Sequence, residues 1–183
     1  MKTPSASKLR CGMPAAFLLL TLFLHPAVRA EESWKTFEKT ADNYSVSMPA
    51  TAKESSEPVS DKLGTHQMNS IMGQEGTTIY IIGCLAYDSG TKLDIEGELL
   101  ANRDNFMKAV QAHLLDSNRY EFSGCPALDF KAANDQGYVF EGRVVLVGGR
   151  IVYQLATAYK GSEAPPGIRT FLDSFKFLEP ATP

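Results

Sequence analysis

The feature that most constrains the fold is a pair of glycines between two apolar segments with strand character. Gly148-Gly149 separates residues 138–147 from residues 150–159. Both glycines can adopt positive φ, as the two-residue type I′ turn of a β-hairpin requires. The register of such a turn places one largely apolar row on a single face, with Glu141, Arg143 and Gln154 on the other. The predicted pairs in the apolar row are Leu146 with Ile151, Val144 with Tyr153, Phe140 with Thr157, and Tyr138 with Tyr159.

The remaining elements follow from periodicity and from turn residues. Alternating apolar and polar side chains predict strands, and apolar residues at helical spacing predict helices. The predicted strands are residues 34–38, 44–48, 64–72, 77–87, 119–123 and 128–132. Residues 50–60 are interpreted as a polar connection, residues 93–115 as a long helix, and residues 168–175 as a short helix that begins near Pro166 or Gly167. Hairpin connections favour an antiparallel sheet. The predicted fold class is therefore α+β, an antiparallel β-sheet with a long helix and a C-terminal helix packed on it.

The N-terminus has the order of a secretory signal peptide. Basic residues precede the apolar run 15–24, and small residues follow it at Val28 and Ala30. This order predicts cleavage after Ala30. The apolar run reaches about half of the roughly 20 residues that a helix needs to cross a bilayer, so no stable membrane insertion is expected after cleavage. We expect a signal peptide over residues 1–30, one domain over 31–178 and a disordered tail over 179–183.

Removal of the leader makes the chain acidic. Residues 1–30 hold four of the 18 basic residues and none of the 21 acidic ones, so the formal charge falls from −3 to about −7. No run of Lys or Arg remains. A nucleic-acid partner is therefore not expected. The predicted signal peptide indicates a periplasmic or secreted location.

Two cysteines, Cys84 and Cys125, follow the predicted leader. An even number of cysteines in an oxidising compartment makes them a candidate disulfide. The alternative is two buried thiols that pack as small apolar side chains. The sequence leaves both interpretations open, because it does not place the two Cα atoms within bridging distance.

The sequence predicts no catalytic constellation. His66 lies in a predicted strand and His113 near the end of the long helix, far apart in the chain. A triad needs a nucleophile, a base and an orienting group together, and no Gly-x-Ser-x-Gly elbow marks a nucleophile. We expect His113 at the surface, where a helix C-terminus favours a cation.

Metal, cofactor and nucleotide sites are likewise not predicted. Asp94, Glu96 and Glu98 form the acidic cluster most like a cation site, but acids are common in the first turns of a helix, where the dipole favours them. The cysteines lack zinc spacing, and no glycine-rich phosphate loop lies between a strand and a helix.

Aromatic side chains on the central hairpin could line a ligand pocket. Tyr138, Phe140, Tyr153 and Tyr159 alternate along its two strands. Such aromatics more often form cross-strand core pairs, so a pocket is the less favoured interpretation.

Three stretches of the chain resemble the PsbP-like superfamily, and especially its exported bacterial members. They are residues 44–49, a strand that ends in proline; residues 123–127, a turn before a strand; and residues 149–155, followed by 171–175 in the closing helix. Ala127 departs from the glycine usual in that turn. The resemblance implies an α/β/α sandwich around an antiparallel sheet, and it implies no catalysis.

We therefore expect an exported, non-enzymatic domain without a cofactor that binds a protein partner or an envelope component. The alternative is a binder of a small apolar or aromatic ligand. The resemblance lends no role, because no functional motif of the superfamily is matched and fold alone is a poor guide to function.

Overall fold

A computed structural model describes residues 33–180, which belong to one compact unit. The chain forms ten strands and two α-helices in this range. Their bounds are β1 Trp34–Lys39, β2 Tyr44–Pro49, β3 Lys53–Asp61, β4 Gly64–Glu75, β5 Thr78–Ala86, α1 Ile95–Ala109, β6 Ala112–Phe122, β7 Cys125–Asn134, β8 Tyr138–Val147, β9 Ile151–Lys160, α2 Pro166–Ser174 and β10 Lys176–Phe177. A single 3-10 turn, Thr40–Asp42, joins β1 to β2.

The main sheet has seven strands in the order β3-β4-β5-β9-β8-β7-β6, and all neighbours are antiparallel. It consists of two meanders, β3 to β5 and β6 to β9, which meet where β5 pairs with β9. α1 carries the chain from the middle of the sheet at β5 to its far edge at β6. This connection places the helix over one part of the sheet and not over the rest.

One face of the main sheet is covered by α2 and by a second sheet of order β1-β2-β10. The period of two along β5 directs Tyr80 and Ile82 into this layer. They share a core with Phe171 of α2 and with Val46 and Met48 of β2, all at most 1% exposed.

α1 packs on the opposite face. Leu99, its buried residue, shares a second core with Leu128, Val144 and Leu146. The neighbours of these residues in sequence, such as Val145, belong to the first core, as alternation across a pleated strand requires. Since α1 contacts β6, β7 and β8 most, the half of this face formed by β3, β4 and β5 lies beside the helix.

The predicted class, an α+β chain of mainly antiparallel strands with two helices, matches the structure. The predicted α/β/α sandwich is confirmed only in part. One outer layer combines a small sheet with the nine-residue α2, and the other is a helix of 15 residues that covers part of the main sheet.

The predicted extent of the long helix is wrong at its C-terminal end. α1 ends at Ala109. Gln111 then takes a left-handed φ of 53°, and β6 begins at Ala112. His113 and Leu114 therefore lie in an edge strand. Residues 110–115 fit either the helical or the strand period. The pairing of β6 with β7, which is interrupted only by a bulge between Leu114 and Asp116, makes them a strand.

The register predicted for the central hairpin is wrong by one residue. Both glycines do take positive φ, 57° and 63°, but the loop has three residues, because Arg150 also belongs to it and Val147 pairs with Ile151. The extra residue moves the whole second strand by one pair. Tyr153 then faces Val145, and Gln154 lies on the face opposite Arg143.

Residues 50–60, interpreted as a connection, contain most of β3. The strand is an edge strand with almost every side chain exposed, so it has no apolar row for periodicity to detect. Hydroxyl groups hold it instead: Ser55 bonds Ser70 at 2.8 Å and Ser60 bonds Thr65 at 2.9 Å across the β3–β4 pair.

The predicted domain organisation extends beyond the described residues, 33–180, at both ends. The signal peptide over residues 1–30, its cleavage after Ala30 and the last three tail residues lie outside the described residues. Glu179, predicted as the first tail residue, is hydrogen-bonded: its amide donates to Asn43 Oδ1 at 2.8 Å. Within residues 33–180, no helix is long and apolar enough to cross a bilayer.

Candidate functional site

A concave site lies between α1 and the half of the sheet beside it, and is here named the α1 groove. It consists of a large cavity of about 430 Å³ and a small cavity of about 210 Å³. The large cavity is lined by Ile79, Ile81, Phe106, Ala109, Val110, Gln111, Asn134, Gln136, Tyr138, Phe140, Ala156, Thr157 and Ala158. The small cavity is lined by Met68, Ser70, Ile81, Gly83, Leu85, Asn102, Phe106, Val152, Gln154 and Ala156.

The groove floor comes from the two central strands. Residues 79, 81, 83 and 85 of β5 alternate toward α1, and residues 156 and 158 of β9 lie beside them. Glycine and alanine at positions 83, 156 and 158 leave the floor low, because they carry at most one side-chain carbon. The open space is therefore a consequence of small residues beneath a helix that is displaced to one side.

Phe106 forms the wall between helix and floor. Its ring lies 5.5 Å from the ring of Phe130 and 5.8 Å from that of Phe140. Aromatic pairs at this spacing hold each other in place. Because Phe106 lines both cavities, this cluster sets the width of the groove where the two meet.

One end of the groove is closed by Asn134, at the turn between β7 and β8. Its side-chain amide donates to the Val110 carbonyl at 3.2 Å, and its Oδ1 accepts from the amides of Gln136 and Tyr138, both at 3.1 Å. A single side chain thus ties the end of α1 to the hairpin. Near the middle, Gln154 donates to the carbonyl of Asn102 at 3.5 Å.

The lining carries no Asp, Glu, Lys, Arg, His or Cys. Its polar groups are amides and hydroxyls, which can bond a neutral ligand. An ion in such a site would lose hydration without gaining a counterion, which costs several kcal/mol or more. The groove therefore suits an uncharged, mainly apolar molecule.

Of the four hairpin aromatics, the structure places two in the groove and two in the core. Tyr138 and Phe140 line the large cavity. Tyr153 and Tyr159 are buried on the other face, where Tyr153 donates to the Asp42 carbonyl at 2.6 Å and Tyr159 to Glu141 Oε1 at 3.0 Å. The extra loop residue at Arg150 causes this division.

His66 and His113 lie on different strands, β4 and β6, as their separation in sequence suggested. His66 is buried against the ring of Tyr87, with centroids 4.5 Å apart, and its Nε2 lies 3.7 Å from Asp61 Oδ1. The backbone amide of Leu63, 2.7 Å from Asp61 Oδ1, lowers the pKa of the Asp61 carboxyl, although desolvation opposes this. His113 is exposed in β6, not at a helix end as predicted.

The acidic cluster at the start of α1 is used within the chain. Asp94 is the N-cap residue, Glu96 pairs with Arg119, and Glu98 Oε1 accepts from Asn102 at 2.9 Å. No group of three or more His, Cys, Asp or Glu suited to a metal occurs in residues 33–180.

Cys84 and Cys125 are free, buried thiols in the structure, so the candidate disulfide is not formed there. Cys84 lies in β5 and Cys125 in β7, with β9 and β8 between those strands. Three strand spacings of about 4.8 Å amount to roughly 14 Å, whereas bridged Cα atoms lie within about 7 Å. The sheet order therefore separates the pair.

Both thiols are expected to resist modification in the folded protein. Burial raises the pKa of Cys84 to about 12, and burial also raises the pKa of Cys125. Because the thiolate is the reactive form, each remains protonated and inert at neutral pH. Iodoacetamide labelling and peptide mapping are expected to leave both unmodified in buffer and to alkylate both in denaturant without reductant. A peptide that joins Cys84 to Cys125 would contradict the separation.

The floor of the groove was not predicted from the sequence. One signal was present: β5 is apolar in both of its rows, with Ile79, Ile81 and Leu85 alternating with Tyr80 and Ile82. A strand that is apolar on both faces indicates cover on both faces. The structure shows cover on one face and a groove on the other.

Together these features describe an α+β fold with an uncharged groove beside its longer helix. No family model matches the chain, and no curated protein does. Among solved structures, it is similar to the solution structure of cyanobacterial PsbP (CyanoP) from Synechocystis sp. PCC 6803. The two share 14% sequence identity over 80% of this chain and 93% of that chain, with a TM-score of 0.53. The PsbP-like fold expected from the three sequence stretches is confirmed, and the likeness concerns the fold alone.

Proposed function

We propose that this chain is a non-catalytic binding domain and that the α1 groove holds a small, uncharged, mainly apolar ligand. The observation that carries the proposal is the groove lining, which is apolar, partly aromatic and free of charged side chains. Its large cavity, about 430 Å³, falls within the common range for small-molecule sites. This choice favours the ligand-binding alternative over the protein-binding expectation.

The absence of carboxylate, histidine and lysine side chains from the lining supports a binding role over a catalytic one. Proton transfer most often uses His, Glu, Asp or Lys within hydrogen-bond reach of the substrate. Tyr138 and Thr157 are the hydroxyl residues of the large cavity, and Thr157 Oγ1 donates to the Glu141 carbonyl at 3.0 Å. A carbonyl oxygen cannot accept a proton as a general base does, so the Thr157 hydroxyl is not activated.

The proposal includes export. Its support is the basic, apolar and small-residue order of residues 1–30, together with the acidic charge of the remainder. Edman sequencing of protein purified from its source is expected to read Glu31 first. Native protein that begins at Met1 and fractionates with the cytosol would contradict export.

Ligand binding is tested with the neutral, apolar dye Nile red. The wild-type protein is expected to bind it saturably with a rise in fluorescence. Ala158→Phe places a ring in the large cavity and is expected to weaken binding about tenfold, a change of about 1.4 kcal/mol. Ala86→Phe, the same substitution at an exposed position of the same sheet, serves as the matched control.

Two results would contradict the groove as the ligand site. The first is equal dye affinity of the Ala158→Phe and Ala86→Phe proteins, with both folded by circular dichroism. The second is native mass spectra of source-purified protein without a retained small mass, combined with no saturable dye binding.

A protein partner is the second candidate, and one surface favours it. β6 forms an open edge of the main sheet, and Leu114 and Leu115 on it are 40% and 53% exposed at a bulge. A partner strand could pair with this edge. Hydrogen exchange of the Ala112–Phe122 amides is expected to slow in envelope extract if such a partner is present, and unchanged exchange would count against it.

A further inference from the structure

We propose that the ligand of the α1 groove is a linear hydrocarbon chain, of acyl or prenyl type, that lies along β5 and passes beneath Phe106 from one cavity to the other. This inference rests on the proposed function and specifies the shape of the ligand. A compact aromatic molecule, by contrast, would occupy the large cavity alone.

The two cavities share part of their lining. Ile81, Phe106 and Ala156 line both of them. Ile81 and Ala156 are direct cross-strand neighbours in the β5–β9 pair, and Phe106 lies on the helix side. The shared boundary therefore has a floor of Ile81 and Ala156 and one aromatic wall, Phe106.

The groove is long in one direction. Its floor follows β5 from Ile79 at one end to Leu85 at the other. The six residue-to-residue steps from Ile79 to Leu85 span about 20 Å. A site that follows one strand over this length matches an extended chain better than a compact ring system.

The floor is narrow as well as long. Gly83 has no side chain, and Met68 and Ser70 of β4 bound the small cavity on its outer side. An added Cβ at Gly83 would meet only the Met68 sulfur, at 3.8 Å. Met is an unbranched, adaptable side chain, so this part of the groove can close around a thin methylene chain.

The polar lining at the large-cavity end of the groove suits a neutral polar head group of the ligand. Gln111 and Gln136 line that end beside Asn134, and their amides can donate to or accept from a hydroxyl, ester or amide group. The opposite end is bounded by Leu85 and Val152, which are apolar. The lining thus orients the ligand with its polar head near the β7–β8 turn and its hydrocarbon tail toward Leu85.

The test compares long and short neutral ligands in a variant that blocks only the small cavity. Gly83→Leu places a side chain there, and the backbone tolerates it because Gly83 needs no positive φ. The probes are tetradecanol, octanol and naphthalene, measured by displacement of Nile red. We expect Gly83→Leu to weaken tetradecanol binding about tenfold or more and to leave octanol and naphthalene unchanged within about twofold, since a tenfold change corresponds to about 1.4 kcal/mol.

The matched control is Gly90→Leu. An added Cβ at Gly90 meets no atom within 4 Å, and the residue is exposed. This variant is expected to bind all three probes as the wild type does. Thermal unfolding of both variants establishes that each is folded.

The outcomes separate this inference from the proposed function. Equal loss of all three probes in Gly83→Leu, or no loss of any, overturns the linear chain while Ala158→Phe still tests the groove. Failure of every probe to bind the wild type overturns both. A selective loss of tetradecanol supports both.

Discussion

Replacing Asp129 with alanine is expected to lower the free energy of unfolding by about 3 kcal/mol, the scale found when a buried charge, here that of Arg143, loses its partner. Asp129 accepts two hydrogen bonds from Arg143, Nε to Oδ1 at 2.9 Å and Nη2 to Oδ2 at 3.0 Å. The third guanidinium nitrogen donates to the Leu172 carbonyl of α2 at 2.8 Å. The arginine therefore ties the C-terminal helix to the main sheet.

The loss of unfolding free energy is expected to differ between the two partners when each is replaced alone. The Arg143 side chain is 9% exposed and the Asp129 side chain 36%. A stranded arginine thus remains without water, whereas a stranded aspartate is hydrated in part. We expect Arg143→Met to cost about 2 kcal/mol, less than Asp129→Ala, for this reason.

Chemical denaturation of both single variants and of the double variant measures the coupling. The double variant is expected to cost less than the sum of the singles, because neither charge is then left alone. Asp104→Ala is the control. It removes an aspartate from an exposed pair with Arg103 at 2.8 Å, and the expected change is within about 0.5 kcal/mol. Equal losses for Asp129→Ala and Asp104→Ala would contradict the prediction.

The Gly142→Ala variant is expected to lower the free energy of unfolding by about 2 kcal/mol, as overpacking of a close-packed interior does. A Cβ at position 142 would overlap the Phe130 ring, and it would lie 3.0 Å from the Leu155 carbonyl oxygen. Phe130 is 4% exposed and contacts Phe106. The ring can move only by displacing Phe106, which lines the groove, so weaker Nile red binding is expected as well.

Gly83→Ala provides the matched control for Gly142→Ala. It is the same substitution in a strand of the same sheet, but the nearest atom to the added carbon is the Met68 sulfur at 3.8 Å. A gain of about 0.5 kcal/mol is expected there, because alanine restricts the unfolded chain more than glycine does. Adding Phe130→Leu to Gly142→Ala is expected to restore part of the loss. A neutral Gly142→Ala in urea unfolding would show that the ring is not confined.

Local sequence signals predicted most of the sheet. β2, β4, β5 and α2 lie where periodicity and proline or glycine placed them, since the alternation of a half-buried strand and the spacing of a helix are properties of the segment itself. β3 was missed, because an exposed edge strand needs no apolar row. The end of α1 was missed because residues 110–115 satisfy two periods and only pairing with β7 distinguishes them.

The candidate site was predicted in part. Four hairpin aromatics were named as possible lining residues of a pocket, although core pairs were the favoured interpretation. The structure places Tyr138 and Phe140 in the groove lining and Tyr153 and Tyr159 in the core. One residue in the β8–β9 loop, Arg150, reverses the face of every side chain on β9. The side of a strand on which a residue lies thus depends on a turn several residues away.

Taken alone, the amino-acid sequence determined the positions of the hairpins and the α+β class, because turn chemistry and two-residue alternation act over a few neighbouring residues. The tertiary structure alone decided that β5 pairs with β9, that Cys84 and Cys125 are separated by two strands, and that α1 lies beside the β5 floor and not over it. These outcomes depend on burial shared between segments far apart in the chain. Their free energy belongs to the pair of surfaces and is not encoded in either segment by itself.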